Sequence, residues 1–189
     1  MKVKLLSITP NVEKLIEEAG RTAYLSGDKT NEGSEKKFIK RIVKMGHESV
    51  LEHASATFRI EGGSRAFTHQ EVRHRLCSFT QQSQRYVNEI ANMLFNTFLG
   101  YAKIVYKLLQ SLGIKNEDAR FVLPNAIESE IVVTANLRQW RHVIGLRGEK
   151  HAQWEIRAII IEILKILKKE APTVFEDFII VGDVIKRSN

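Results

Sequence analysis

Hydrophobic and polar positions along the chain alternate between stretches of period two and stretches of period near 3.6, the marks of strand and helix. Val3 to Ile8 is predicted to form an opening strand, and Thr9 followed by Pro10 reads as an N-cap and first helical residue. Val12, Leu15, Ile16 and Ala19 then recur at helical spacing up to Gly20. A second helix is expected from Ser34 to Met45, with Phe38, Ile42 and Met45 inward and Gly46 ending it, so that His47 falls just beyond a helix end. Ala54, Ala56, Phe58 and Ile60 alternate on one side of a strand stopped by Gly62 and Gly63. Ser64 to about Leu76 is predicted to be helical.

From about Glu89 to Leu112, the apolar positions Leu94, Phe98, Tyr101, Val105, Leu108 and Leu112 step by four and three, a stripe for a core or a subunit interface. Asn116 is placed to cap a short helix carrying Arg120, which Pro124 closes. The β-branched run in Ser129 to Asn136 predicts a strand. In the helix that follows, Leu137, Trp140 and Ile144 form the packing face, while Arg138 and His142, four apart, share another. A last long helix, about Ala152 to Glu170, is expected to bury Ile156, Ile159, Ile160, Ile163 and Leu167, and both Trp140 and Trp154 fit such packing stripes. Helices and strands without regular βαβ alternation predict an α+β fold: a single domain over residues 1–189, with a mostly antiparallel sheet flanked by long helices.

Composition narrows the class. With 189 residues, 43% hydrophobic and 27% charged, one sizeable core is within reach, and no linker or repeat interrupts the chain. A net charge of +7, from 29 Lys and Arg against 22 Asp and Glu, favours an anionic partner without choosing among nucleotide, nucleic acid and acidic lipid. The single cysteine, Cys77, excludes an internal disulfide and a thiolate zinc cluster, which makes a reducing cytoplasm the expected compartment. Lys2 and Lys4 interrupt the only apolar stretch near the amino terminus, so no signal peptide is expected, nor is any run long enough to cross a bilayer.

The chemistry concentrates in RHRLCSFTQQSQRY, Arg73 to Tyr86, extended upstream by Arg65, His69 and Gln70. Glu71 is the only acid between Ser64 and Tyr86. So many donors with so little countercharge point to a phosphate-bearing ligand. Three consecutive positions of a helix project ~100° apart, so Arg73, His74 and Arg75 cannot grip one small group together from mid-helix; they belong at a helix end or on different parts of a large ligand. An extended backbone would place Gln81, Ser83 and Arg85 on one face. No G-x-G-x-x-G lies between a strand and a helix, so any dinucleotide must be held by other means.

The order of residue types resembles the signature of the flavin-dependent thymidylate synthases, R-H-R-x-x-S-x-N-x-x-S-x-R-Y. Arg73, His74, Arg75, Ser78, Ser83, Arg85 and Tyr86 fall on it, and Thr80 stands where the pattern has Asn. GHES at Gly46 precedes it, FTHQ at Phe67 leads into it, and ARFVLP, TANLRQWRH and LRGEKHAQWEIR follow, all in family order from Gly46 to Arg157. The resemblance implies reductive methylation of dUMP to dTMP, with methylenetetrahydrofolate as carbon donor and reduced FAD, itself reduced by NADPH, as hydride source. Carried over position by position, it assigns FAD to His47, Ser49, Arg73, His74 and Arg75, and also to Gln81, Asn136, Arg138 and His142. It assigns dUMP to Gln70, Arg73, Gln81, Gln82, Ser83, Gln84, Arg85, Arg120 and Arg147, with Arg147 beside the pyrimidine as the catalytic cation. It further implies a homotetramer with active sites shared between subunits, no metal, and neither nucleic acid nor membrane as partner. Ala23 falls where some relatives offer a flavin-contacting serine. Cys77, at a position the signature leaves open, is expected to pack rather than attack. A nucleic-acid-binding module is the contrasting reading of the charge, weakened by the shortage of aromatic platforms among the basic residues; a relative that binds both ligands without turnover is a third.

Overall fold

The computed structural model describes residues 1–84 and 96–188. Its centre is a four-stranded antiparallel sheet in the order β1 (Lys2–Ile8), β2 (Ser55–Ser64), β4 (Glu128–Asn136), β3 (Ser78–Gln81). The expected alternation holds in the two central strands. Ala56, Phe58 and Ile60 of β2 and Ile131, Val133 and Ala135 of β4 are buried on one face, while Arg59 and Glu130 pair at 3.1 Å on the other. β2 does not stop at the glycines: it runs through them to Ser64, with a register shift between Ile60 and Gly63 and Gly62 at φ 72°.

Against this face pack α1 (Val12–Thr22), α2 (Ser34–Lys44), α6 (Leu137–Arg147) and α7 (Trp154–Glu170). The apolar run of α7 is fully used, with Ile156, Ile159, Ile160, Ile163, Leu164 and Leu167 all buried. Trp140 of α6 is buried, packs edge-on against Phe58 at 5.2 Å and donates its indole N–H to the Ala56 carbonyl at 3.0 Å. Trp154, expected on the packing stripe of α7, is instead 52% exposed, because it occupies the first helical position, ahead of the buried run.

Three further expectations shift. Thr9 does not cap α1; its hydroxyl exchanges hydrogen bonds with the Ser55 backbone, tying β1 to the start of β2, and α1 begins at Val12 behind a left-handed Asn11. Gly20 does not end that helix but lets it approach α2, since a Cβ there would lie 2.4 Å from the Phe38 ring. Met45, read as inward, is exposed at the C-cap of α2.

Of the two readings of the stripe on α4 (Asn96–Ser111), its exposure in this chain excludes the core and leaves the subunit interface. Its apolar stripe is real but faces solvent: Phe98, Tyr101, Val105 and Leu108 are exposed, as is Leu112 just beyond, while Leu99 and Tyr106 turn inward. Leu94, the first member of the expected stripe, lies outside the described residues. The short α5 (Asn116–Ala119) follows, and a hairpin that the pattern reading missed, β5 (Phe178–Val181) and β6 (Val184–Arg187), turns at Gly182 and Asp183. Its signal was present in two short runs rich in β-branched residues, Phe178–Val181 and Val184–Arg187, separated by Gly-Asp. Among the described residues, no helix is long and apolar enough to cross a membrane.

Candidate active site

The signature segment is placed by a short helix, α3 (Arg65–Glu71), rather than a helix reaching Leu76. Its start is fixed by chemistry. Ser64 accepts from the Phe67 amide at 3.1 Å and donates its own amide and hydroxyl to the buried Glu155 carboxylate of α7 at 2.8 and 2.5 Å. After Glu71 the chain leaves the helix in turns, with the His74 amide on the Glu71 carbonyl at 3.1 Å and the Cys77 amide on the His74 carbonyl at 2.9 Å. Arg73, His74 and Arg75 therefore lie past a helix end and diverge: the two arginines are exposed and His74 is buried between them.

α6 brings the second half of the site. Its N-cap, Asn136, accepts from the Gln139 amide at 2.8 Å; Arg138 and His142 stand one turn apart on its exposed side, with Arg138 paired to Glu52. At its C-terminal end Arg147 reaches back to the signature. Its Nε donates to His74 Nε2 at 3.0 Å and its Nη2 to the Gln70 carbonyl at 3.3 Å. A histidine that accepts at Nε2 carries its proton on Nδ1, and the neutral form is enforced: burial, then the Arg147 and His142 charges, lower the His74 pKa to about 4. The His142 ring stands edge-on to His74 at 5.9 Å.

Two concavities hold other residues of the candidate site, the larger of them reaching this junction through His142. The larger, about 1370 Å³, is lined by Asn136, Arg138 and His142 on one side and by Phe178 and Ile185 of the hairpin on the other. The other, about 1060 Å³, holds His47 and Ser49 together with Ala23 and Arg21. So the residues singled out in the sequence fall into groups. Gln70, His74, His142 and Arg147 meet in one cluster; Asn136 and Arg138 join it through the larger cavity; His47 and Ser49 belong to the other one.

The remaining polar positions have structural partners. The Gln81 amide donates to Thr68 and Ser129 at 2.7 and 3.2 Å, the Gln82 side chain accepts from the Glu130 amide at 3.1 Å, and Arg120 donates to the Glu117 carbonyl at 2.9 Å. Ser83 and Gln84 are half-buried beyond β3, and Arg85 and Tyr86 lie outside the described residues. Thr80, the departure from the signature, is exposed on β3 opposite Val132. Cys77 is half-buried against the core, and burial, helped by Glu71, pushes its thiol up to about 11, so it stays a thiol at neutral pH.

Sequence reading missed two features. The first is Glu71, wholly buried below the signature. The second is a network at the middle of α6, where buried Arg141 bridges Glu48 at 3.1 Å and both Asp177 oxygens at 2.7 and 2.8 Å, and Arg187 completes it at 3.0 and 2.7 Å. Arg141 sits within TANLRQWRH, but its acidic partners are far away in sequence.

Residues 4–173 match the profile of a family described as thymidylate synthase complementing protein. A flavin-dependent thymidylate synthase of Geobacter sulfurreducens is 42% identical over 94% of this chain and 86% of its own length. One from Pyrococcus abyssi is 44% identical over 76% of this chain and 67% of its own. The fold superposes on the crystal structure of thymidylate synthase X from Helicobacter pylori, solved with FAD and dUMP, with a TM-score of 0.82 and 25% identity over 94% of this chain and 98% of that one. With His74 of its signature hydrogen-bonded to Arg147 at the end of α6 and these likenesses running through most of its length, the chain belongs to the flavin-dependent thymidylate synthase family.

Proposed function

We infer that this protein is a flavin-dependent thymidylate synthase, a single domain over residues 1–189 that methylates dUMP reductively to dTMP. The observation that carries the reading is Arg147: a permanent cation held by two neutral acceptors, His74 Nε2 and the Gln70 carbonyl, so that its charge is not cancelled by a hydrogen-bonded acid. Two of its five N–H donors are committed there, which leaves others for a ligand. Beside a uracil ring, such a cation favours the anion formed when N3 loses its proton, and this raises electron density at C5 for attack on the one-carbon unit.

The residues present fit a flavin. The larger cavity, about 1370 Å³, exceeds the ~300–1,000 Å³ of pockets for drug-sized ligands. Its wall combines the Arg138 and His142 donors with apolar surface from Phe178 and Ile185. Leu76, which follows Arg73, His74 and Arg75 in the signature, lines the same cavity; these three would hold the cofactor from that side, and His47, Ser49 and Gln81 would complete the contacts from elsewhere in the assembly. Bound FAD supplies the hydride; NADPH is the source of its electrons and methylenetetrahydrofolate the source of carbon. Gln70, Gln81, Gln82, Ser83, Gln84, Arg85 and Arg120 hold dUMP alongside Arg73 and Arg147, with Arg85 and Arg120 on its phosphate.

The division of these residues between two concavities supports a site shared between subunits in a homotetramer, and the exposed stripe of α4 supplies apolar surface for such an assembly. A cytoplasmic enzyme fits the lone thiol. Incubation with FAD should give a bound flavin spectrum that changes on adding dUMP, and tritium should be released from C5-labelled dUMP in the presence of methylenetetrahydrofolate and NADPH. Protein that stays colourless with FAD refutes the flavin assignment; flavin binding without tritium release refutes turnover.

A further inference from the structure

Glu71 has no task in the chemistry above. It is fully buried at the last position of α3, and neither of its carboxylate oxygens has a hydrogen-bond partner among the described residues. A buried, unbonded carboxyl is costly, and sequence offers many side chains that would fill the space without that cost. Its surroundings are specific. Gln70, the residue before it, gives its carbonyl to Arg147; His74, three residues later, gives its Nε2 to the same guanidinium. Among the described residues, the positive charge that acts on the Glu71 carboxyl is that of Arg147.

We propose that Glu71 is a positioning residue for Arg147: as a neutral acid it leaves the guanidinium on His74 and Gln70 with its charge available to a ligand, and as an anion it competes for that guanidinium and cancels its field. The proposal rests on the reading of Arg147 as the activating cation. Burial holds the Glu71 carboxyl at about 7, against the opposing pull of Arg147, so both forms are populated near neutral pH. Arg65 and His69 belong to α3 itself, and His142 of α6 faces the His74 ring edge-on at 5.9 Å. Glu155 of α7 is bound to Ser64 at the opposite end of the helix, Arg59 of β2 and Glu130 of β4 pair with each other on the far face of the sheet, and the Cys77 thiol and the His74 imidazole stay neutral at pH 7. Glu71 is thus the buried acid beside Arg147 whose charge changes in this range, and comparison with Glu71→Gln separates its effect from that of His142.

The test compares the full-length wild type with Glu71→Gln, whose amide keeps the shape and cannot ionise. Difference infrared spectra between the two should contain the carbonyl stretch of a protonated acid at about pH 6, gone by about pH 8.5. Over the same interval the Arg147 Nε resonance in ¹⁵N spectra, assigned by its loss in Arg147→Lys, should move in wild type and stay in place in Glu71→Gln. Affinity for dUMP should fall about tenfold in wild type, the coupling expected of one pK unit, and less than about twofold more in the variant than the titration of the dUMP phosphate alone accounts for. An acid band that is absent at pH 6 or persists at pH 8.5, or an Arg147 resonance that moves equally in both proteins, overturns the proposal. If neither protein binds dUMP while the infrared and nitrogen titrations behave as expected, the substrate reading fails and the coupling stands. Should Glu71→Gln fail to fold, Glu71→Met, neutral and close in volume, takes its place in all three measurements.

Discussion

Arg141 and Arg147 lie six positions apart on one helix, and their surroundings differ in kind. Arg141 is saturated: its guanidinium meets Glu48, both oxygens of Asp177 and the Val174 carbonyl, with the Phe178 ring 5.0 Å below. Among the described residues, Arg147 hydrogen-bonds only to neutral acceptors and keeps donors in hand. A guanidinium whose fork is fully matched by acids holds the fold together and has nothing left to offer a ligand. One held by neutral groups keeps its field for whatever enters the cavity.

The sharpest way to break this contrast is to remove each arginine in turn. Arg141→Ala leaves Asp177 and Glu48 without their shared cation, and the unfolding free energy from denaturant titration should drop by about 3–5 kcal/mol. Arg147→Ala should cost only about 1 kcal/mol of stability by the same titration. Its turnover, read as tritium release, should fall by about 10²–10³ while flavin binding persists. Equal losses of stability in the two variants would erase the distinction between them.

The pH dependence sharpens it further, because Glu71 and His74 are shifted in opposite directions. Glu71 is raised from 4.5 to about 7, so its contribution to stability is fully present below 4.5 and is lost as pH climbs to about 7. His74 is lowered from 6.5 to about 4, so its contribution is present above 6.5 and is lost as pH falls to about 4. In wild type the two slopes oppose each other between about pH 4.5 and 6.5 and nearly cancel. Glu71→Gln should unmask the histidine, giving a protein that gains stability as pH rises through that window. His74→Gln should do the reverse, with about 3 kcal/mol lost from pH 4.5 to pH 7. Denaturant midpoints taken at half-unit steps decide the signs. The smallest effect belongs to the exposed pair of Arg157 with Asp183, whose acid is 79% exposed; Asp183→Asn should change stability by less than about 0.5 kcal/mol.

These contrasts also explain what could be read before the fold was known. The central strands and α7 were legible because alternation and a continuous buried face are local properties, set by residues a few positions apart. The same periodicity marked the stripe of Phe98, Tyr101, Val105 and Leu108, yet it reports that a helix is amphipathic and not what covers it. The signature residues were visible as an ordered string, but their separation into groups was not, since that depends on α6 crossing to the end of α3. Arg141 and Glu71 were opaque for a related reason. Nothing beside Arg141 in sequence announces Asp177 or Arg187, and Glu71 looked like a lone countercharge among basic residues until its burial removed it from water.

The Arg141 network has one more consequence, for the way the molecule is made. Glu48 and Arg187 are 139 positions apart, and Asp177 also follows nearly all of the helical core in chain order. On the ribosome, Glu48 and Arg141 can pair with each other first, but Arg141 must wait for Asp177 and Glu48 for Arg187 until the hairpin emerges, and closing so distant a contact is slow. The segment bearing His47 and Ser49 therefore gains its last clamp, Arg187 on Glu48, only after translation has passed β6, so a nascent chain stalled before Val174 should hold its sheet yet leave that segment more open to proteases than in the finished protein.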